Sequence, residues 1–167
     1  MAEDVKEKVI RYLQDAHAAE EGALSSMRDV AASSTDPEFK TSIQEHITVT
    51  ESQSSRLEAR ILALGAKKAE GKSLMDTLIG KGSDLVNMFH DKEDKQAQDA
   101  MKLYALENLE VASYTALKSF ADAAGDYETA QLAETILGEE QLAAERILRL
   151  IPQLARAPLA SAAATPR

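Results

Sequence analysis

The chain contains no cysteine, so it has neither disulfide bonds nor any site that depends on a thiolate. This absence excludes iron–sulfur clusters, cysteine nucleophiles and zinc sites built on sulfur. Any metal ion in this protein must therefore be held by carboxylates, imidazoles or water.

Aromatic residues, glycine and proline are also scarce. Aromatics make up 4% of the 167 residues, and there are 7 glycines and 4 prolines. Ala, Leu, Glu, Gln and Lys are abundant instead, and this mixture favours helices over strands. A chain of this length suggests one domain around a single core.

An excess of positive charge and long apolar runs are missing as well. The net charge of -9 argues against a nucleic-acid partner, because phosphate binding needs grouped Lys and Arg. No stretch approaches the ~18 apolar residues of a membrane span. The first residues, MAEDVKEKVIRYL, are charged from the third position and lack the apolar core of a secretion signal. We therefore expect a cytoplasmic protein without a membrane partner, whose acidity draws cations toward an acidic cavity.

Apolar residues recur at three- and four-residue spacing in four long segments. The second segment has strong start signals, with Asp36 as N-cap and Pro37 at the first helical position. The fourth is expected to end within about a turn of Pro152, and the tail from residue 156 to 167 is expected to be disordered. The predicted helices run from about Asp4 to Ala32, Pro37 to Leu64, Asp94 to Ala123 and Asp126 to Pro152.

The segment from Ala66 to Asp94 begins with a basic stretch, Lys67 to Lys81, and is interrupted by glycines. Its ~30 residues exceed what two antiparallel neighbours need, so we expect a long crossover with one or two short helices. The third helix then starts at the opposite end of the bundle from the end of the second. Residues 1–155 are thus predicted to form an all-α, ferritin-like four-helix bundle of two antiparallel hairpins.

Acids interrupt the apolar stripe of the third helix, where Glu107 and Glu110 lie between Leu103 and Leu117. Burying an unpaired carboxylate is costly unless it is protonated, paired or bound to a cation. Each of the other helices has a comparable residue near its middle: Glu20, His46, and Glu139 or Glu140.

Such residues have an ordinary interpretation, since an acid at the edge of a bundle is usually solvated. A single histidine is more often a partly buried residue with its hydrogen bonds satisfied. What favours a metal site is that all four helices carry the anomaly at similar depth. Residues three apart share one helix face, and carboxylates with imidazole suit Fe or Mn.

Five segments together resemble the ferritin-like family of bacterial stress-associated proteins typified by YciE and YciF. The most informative parts are the stretch from His46 to Arg56, the Glu107–Glu110 pair followed by Tyr114, and the Glu139–Glu140 pair. The segments are AAEEGALSSM, DPEFKTSIQEHITVTESQSSRLEARILALG, KSLMDTLI, LENLEVASYTALKSFADAAG and ILGEEQLAAERI.

The resemblance implies a ferritin-like bundle, a homodimer, a dinuclear metal site and a link to stress responses without a settled reaction. Carried over by position, the metal ligands are Glu20, His46, Glu107, Glu110 and Glu140. One departure matters, because the family has a glutamate where this chain has Val49, whose isopropyl group cannot bind a metal.

Two functions follow from that departure and remain open. In the first, a mononuclear or dinuclear centre of Fe or Mn, or of Zn, serves a redox or oxygen- or peroxide-related role in a stress response. In the second, the site is degenerate and holds no metal, and the chain is a non-catalytic dimeric helical-bundle stress protein. The sequence does not decide whether the protein is an enzyme, nor does it identify a protein partner.

Overall fold

The computed structural model describes residues 2–68 and 94–164, and these form four α-helices without any strand. The prediction of an all-α chain with four long helices is confirmed. None of the described helices is long and apolar enough to cross a membrane. The helices are α1 (Glu3–Ser33), α2 (Pro37–Ala63), α3 (Lys95–Ala124) and α4 (Tyr127–Ala164).

The helix ends follow from local sequence. Asp36 caps α2, since its side chain accepts a hydrogen bond from the backbone N–H of Phe39 at 2.8 Å, and Pro37 is the first helical residue. Gly65 follows α2 with φ 82°, and Gly125 ends α3 with φ 75°. These left-handed conformations are easily reached only without a Cβ atom.

Two apolar clusters fill the ends of the bundle and fix its topology. The first combines the C-terminal parts of α1 and α4 with the N-terminal parts of α2 and α3. The second combines the opposite ends of the same helices. The first includes Leu24, Met27, Phe39, Ile43, Leu103, Ile147, Leu150 and Leu154, and the second Val9, Leu13, Leu57, Ile61, Tyr114, Leu117 and Ile136.

Helices α2 and α3 therefore run parallel, and α1 and α4 run in the opposite direction. The end of α2 and the start of α3 lie at opposite ends of the bundle, as the sequence predicts and as in ferritin-like bundles. The predicted short helices of this crossover fall mainly on residues 69–93, which lie outside the described residues. Helix α1 packs mainly against α2, and α3 packs mainly against α4. The pairs α1–α3 and α2–α4 are also adjacent but pack less extensively.

Polar side chains join the two hairpins at both ends. At the end of the first cluster, Gln96 Oε1 accepts hydrogen bonds from Ser34 Oγ and from the backbone N–H groups of Thr35 and Asp36 at 2.8–3.0 Å. At the other end, the Arg60 guanidinium donates to Asp126, Glu128 and Thr129. Both contacts connect the α1–α2 hairpin to the α3–α4 hairpin.

The predicted end of the fourth helix is wrong. Helix α4 continues past Pro152 and Pro158 to Ala164, so residues 156–164 are helical where a disordered tail is expected. A proline inside a helix removes one hydrogen bond and costs about 3 kcal/mol. Burial of Leu154, which is 2% exposed within the first cluster, and the alanine-rich sequence offset that cost.

Candidate metal centre

A polar layer separates the two apolar clusters at mid-height. It contains every side chain that the sequence singles out as a ligand, and each is largely or fully buried. The exposed fractions are 1% for Glu20, 9% for His46, 0% for Glu107, 2% for Glu110 and 0% for Glu140.

Three of these side chains, from three helices, converge on one point. His46 Nε2 lies 2.9 Å from Glu107 Oε2 and 3.7 Å from Glu140 Oε2. One ligand atom of each residue lies within 4.8 Å of the other two. A single cation can be held by such a group of one imidazole and two carboxylates.

Glu20 and Glu110 contribute the remaining carboxylates. Glu20 Oε1 accepts a hydrogen bond from the buried Tyr114 hydroxyl, which lies one turn after Glu110 on α3. Besides burial, the charge of Glu20 raises the pKa of Glu110, and the charge of Glu140 raises the pKa of Glu20. The structure therefore brings all five predicted residues into one electrostatic group.

Each carboxylate of this group has one buried oxygen with no hydrogen-bond partner among the described residues. These atoms are Glu20 Oε2, Glu107 Oε1, Glu110 Oε1 and Glu140 Oε2. A buried polar atom without a partner costs about 1–3 kcal/mol, and more when it is charged. Four such atoms in one layer indicate a group that is completed by protons or by cations.

Burial raises the pKa of each of these glutamates. It brings the pKa of Glu20 to about 8, that of Glu107 to about 7 and that of Glu140 to about 9. The pKa of Glu110 is also raised well above its ordinary value, first by burial and then by repulsion from Glu20 and the other two acids. Without cations the layer therefore holds protons at neutral pH.

His46 is shifted in the complementary direction. Burial lowers the pKa of its imidazole, although Glu140 and Glu20 act in the opposite sense. The ring is therefore neutral at pH 7, which leaves one nitrogen with a lone pair for a metal.

The residues present fit a metal centre by charge as well as by donor type. Four ionised carboxylates and a neutral imidazole carry a charge of −4, which two divalent cations would neutralise. Carboxylate oxygen with imidazole nitrogen is a donor set that suits Fe, Mn and Zn.

The structure also distinguishes Glu139 from Glu140, which the sequence leaves open. Glu140 points into the layer, whereas the Glu139 side chain is 30% exposed and lies 2.5 Å from Arg56 Nη2. Gln53 lies between the two acids, since its Nε2 donates to Glu139 Oε2 at 3.0 Å and to Glu140 Oε1.

Sequence reasoning missed Gln53 and Thr50 as members of the layer. Both are at most 1% exposed and face inward together with His46, at spacings of four and three residues along α2. The unusually polar run HITVTESQSS was the available signal. Val49 is half-buried at the rim of the layer, where it borders a cavity of about 100 Å³ beside His46 and Ala143.

A sequence model of the family described as "Domain of unknown function (DUF892)" matches residues 4–160. A protein from Xanthomonas campestris with a known crystal structure is 28% identical in sequence. The match covers 96% of this chain and 99% of that protein, with a TM-score of 0.80. The E. coli stress protein YciF is 18% identical, with coverage of 93% and 99% and a TM-score of 0.79. Ferritin-like diiron-carboxylate proteins from Bacillus anthracis are 20% identical, with coverage of 90% and 99% and a TM-score of 0.70.

Proposed function

Because the chain belongs to the DUF892 family and shares the fold of ferritin-like diiron proteins, we propose that it binds metal ions in the polar layer of its bundle. Four buried carboxylate oxygens that have no hydrogen-bond partner among the described residues carry this proposal. They are buried in the same layer as the neutral His46 imidazole, between the two apolar clusters.

The proposed ligands are the five residues that the sequence singles out. Two of them, Glu107 and Glu110, are three residues apart and share one face of α3. Glu107 and Glu140, with His46, would hold one cation, and Glu20 and Glu110 would supply carboxylates for a second. Two divalent cations balance the four carboxylates, so we propose a dinuclear centre of iron or manganese rather than a mononuclear one. Such ions supply one-electron redox chemistry when bound.

The surrounding side chains have definable tasks toward this centre. Tyr114 donates a hydrogen bond to Glu20 and so fixes the direction of that carboxylate. Gln53 does the same for Glu140. Hydrogen bonds of this kind orient ligands and are known to alter metal affinity. We extend the proposal to a role in a stress response, since the structurally similar YciF is described as a stress protein.

One observation favours the alternative of a metal-free, non-catalytic dimeric bundle. Three hydrogen-bonded pairs hold the layer together without any cation: His46–Glu107, Gln53–Glu140 and Tyr114–Glu20. Under this alternative, neutralising a buried acid leaves the stability unchanged or increases it, because an uncompensated polar group disappears. The homodimer itself is a separate proposal, which the molecular mass in solution tests.

Elemental analysis and metal titration discriminate between these functions. We expect the protein purified without chelators to contain about two Fe or Mn ions per chain, as in other dinuclear carboxylate bundles. Glu110→Gln is expected to remove at least half of the bound metal. The matched control is Glu145→Gln, which makes the same change at a side chain that is 69% exposed.

A protein that is free of metal, and that takes up neither Fe(II) nor Mn(II) under anaerobic conditions, would contradict the metal proposal and support the alternative. One ion per chain with full dependence on His46 would indicate a mononuclear centre.

A further inference from the structure

The buried centre lies nearest to solvent on the side of the bundle between α2 and α4. These two helices pack against each other less extensively than the other adjacent pairs among the described helices. His46, on α2, is the most exposed of the five proposed ligands. Val49 and Glu139 both border two neighbouring spaces there, an outer groove along Arg56 and the cavity of about 100 Å³ that reaches His46.

Glu139 stands at the boundary between solvent and the layer. Its carboxylate is 30% exposed and pairs with Arg56, which is exposed to the same extent. The same carboxylate oxygen accepts a hydrogen bond from Gln53 Nε2 at 3.0 Å. Glu139 therefore touches solvent on one side and the interior of the bundle on the other.

Gln53 connects this surface acid to the centre. It is fully buried, and its Nε2 lies between the carboxylates of Glu139 and Glu140. Its Oε1 and the Glu140 Oε2 atom both lack hydrogen-bond partners among the described residues. A carbonyl oxygen and a carboxylate oxygen are both ligands that hard cations accept. Gln53 and Glu140 therefore offer two oxygen atoms to a cation directly inward of Glu139.

We propose, on the premise that the centre binds metal, that divalent cations reach it through the α2–α4 side, with Glu139 as their first protein ligand. Arg56 occupies Glu139 until an arriving ion displaces it. A partly exposed ion pair of this kind is weak enough to exchange, and a divalent ion carries twice the charge of the guanidinium. The Arg56–Glu139 pair thereby controls the rate of metal uptake.

Rapid mixing of metal-free protein with Co(II), followed by visible absorption, measures this rate. Glu139→Gln is expected to slow cobalt uptake by about tenfold, because it removes the charge that attracts the ion. Arg56→Gln is expected to accelerate uptake by about threefold, since Glu139 is then unoccupied. A purely structural role of the pair would not make the two variants change the rate in opposite directions.

The Arg28–Glu51 pair provides the matched control. Its charges lie 2.8 Å apart on the exposed α1–α2 side, and its members are more than half exposed. Glu51→Gln and Arg28→Gln change the net charge by the same amounts as the test variants. They are expected to leave the rate within about twofold of the original protein, as screened surface charges do.

Each result bears on a different statement. If the unaltered protein binds no cobalt, the proposed function fails. If it binds cobalt but Glu139→Gln is as fast as Glu51→Gln, the route through Glu139 is wrong and the metal centre stands. Loss of bound cobalt at equilibrium in Glu139→Gln would make Glu139 a ligand of the centre and overturn its role in uptake. Glu139→Gln alone decides the question if Arg56→Gln does not fold.

Discussion

The side chain of Tyr114 has one polar atom, its hydroxyl oxygen, and this hydroxyl contacts a proposed ligand of the metal centre. The ring is packed in the second apolar cluster, and the hydroxyl donates to Glu20 Oε1. Burial and the nearby Glu20 charge raise the pKa of this hydroxyl well above its usual value, so it remains a donor at every physiological pH. The residue thus joins the core to the polar layer.

We predict that Tyr114→Phe lowers the free energy of unfolding of the metal-free protein by about 1–3 kcal/mol, because Glu20 loses its donor. Chemical denaturation of chelator-treated protein measures this loss. Tyr12→Phe removes a hydroxyl from a side chain that is 38% exposed, and it should change the stability by less than about 0.5 kcal/mol. Equal effects of the two substitutions would mean that the buried hydrogen bond contributes nothing.

The glutamates of the layer predict an unusual pH dependence. Their pKa values are raised in the folded state from 4.5 to about 7 for Glu107, about 8 for Glu20 and about 9 for Glu140. In this window the folded protein holds more protons than the unfolded chain, so its stability falls as the pH rises. Each such group lowers the free energy of unfolding by about 1.4 kcal/mol per pH unit.

Denaturation of the metal-free protein at several pH values between about 5 and 9 tests the sign of this dependence. Glu110→Gln carries no ionisable group at this position. The free energy of unfolding of this variant should decline less steeply with pH, by the amount that one proton contributes to the slope. Glu145→Gln should leave the slope unchanged, since that side chain is 69% exposed. A stability that rises steadily across the window would contradict the protonated layer.

At the residue level, all five proposed ligands are residues that the sequence singles out, but their complete surroundings were not predictable. An acid within an apolar stripe is visible from spacing alone, as for Glu107 and Glu110. Spacing places Gln53 on the inward face of α2, but its hydrogen bonds to Glu139 and Glu140 depend on which way α4 faces. Glu139 and Glu140 could not be separated, since neighbouring residues differ by only ~100° around a helix.

Among the helices, Arg60 connects the end of α2 to the start of α4. Its Nη2 donates to Asp126 Oδ1 at 2.5 Å, and its Nε donates to Thr129 Oγ1 at 2.9 Å. Asp126 in turn accepts from the backbone N–H of Thr129 at 3.1 Å. This arrangement places a largely buried acid directly before the first turn of α4, where its partner is an arginine from the other hairpin.

We expect Arg60→Ala to lower the free energy of unfolding by about 2–3 kcal/mol, because Asp126 remains buried without its partner. Thermal or chemical unfolding provides the measurement. Arg149→Ala removes an exposed arginine of an i,i+4 pair on α4 and should cost less than about 0.5 kcal/mol. If both variants unfold alike, the contact between the hairpins is energetically neutral.

The helices themselves were predictable where periodicity and capping agree, as at Asp36 and Pro37 before α2. The end of α4 was not, because proline and small residues at Pro152 and beyond are also typical of tails. Helix α4 continues past Pro152 because Leu154 packs against other helices. Such contacts between distant residues cannot be read from the spacing of residues along the chain. The parallel course of α2 and α3 was predictable, since it follows from the length of the crossover.

For the molecule as a whole, metal binding should increase stability if the proposed centre exists. A ligand at about 100 times its dissociation constant adds about 2.7 kcal/mol, which corresponds to a rise in melting temperature of about 5–10 °C for a domain of this size. We predict this rise with Mn(II) at pH 8, and a smaller one at pH 6, where protons compete for the same oxygens. Glu110→Gln should abolish most of it, and an equal rise in that variant would contradict binding in the layer.

The contacts of Gln96 and Arg60 have a consequence for motion. Both ends of the bundle are filled with apolar side chains, and hydrogen bonds connect the two hairpins there. We therefore expect spontaneous local opening to occur mainly in the polar layer at mid-height. Amide hydrogen exchange of the metal-free protein should therefore be slowest near Leu24 and Leu57 and fastest around Ser52 and Glu139, with metal suppressing the difference. The molecule would admit ions by brief local opening of its middle while its two ends keep their native packing.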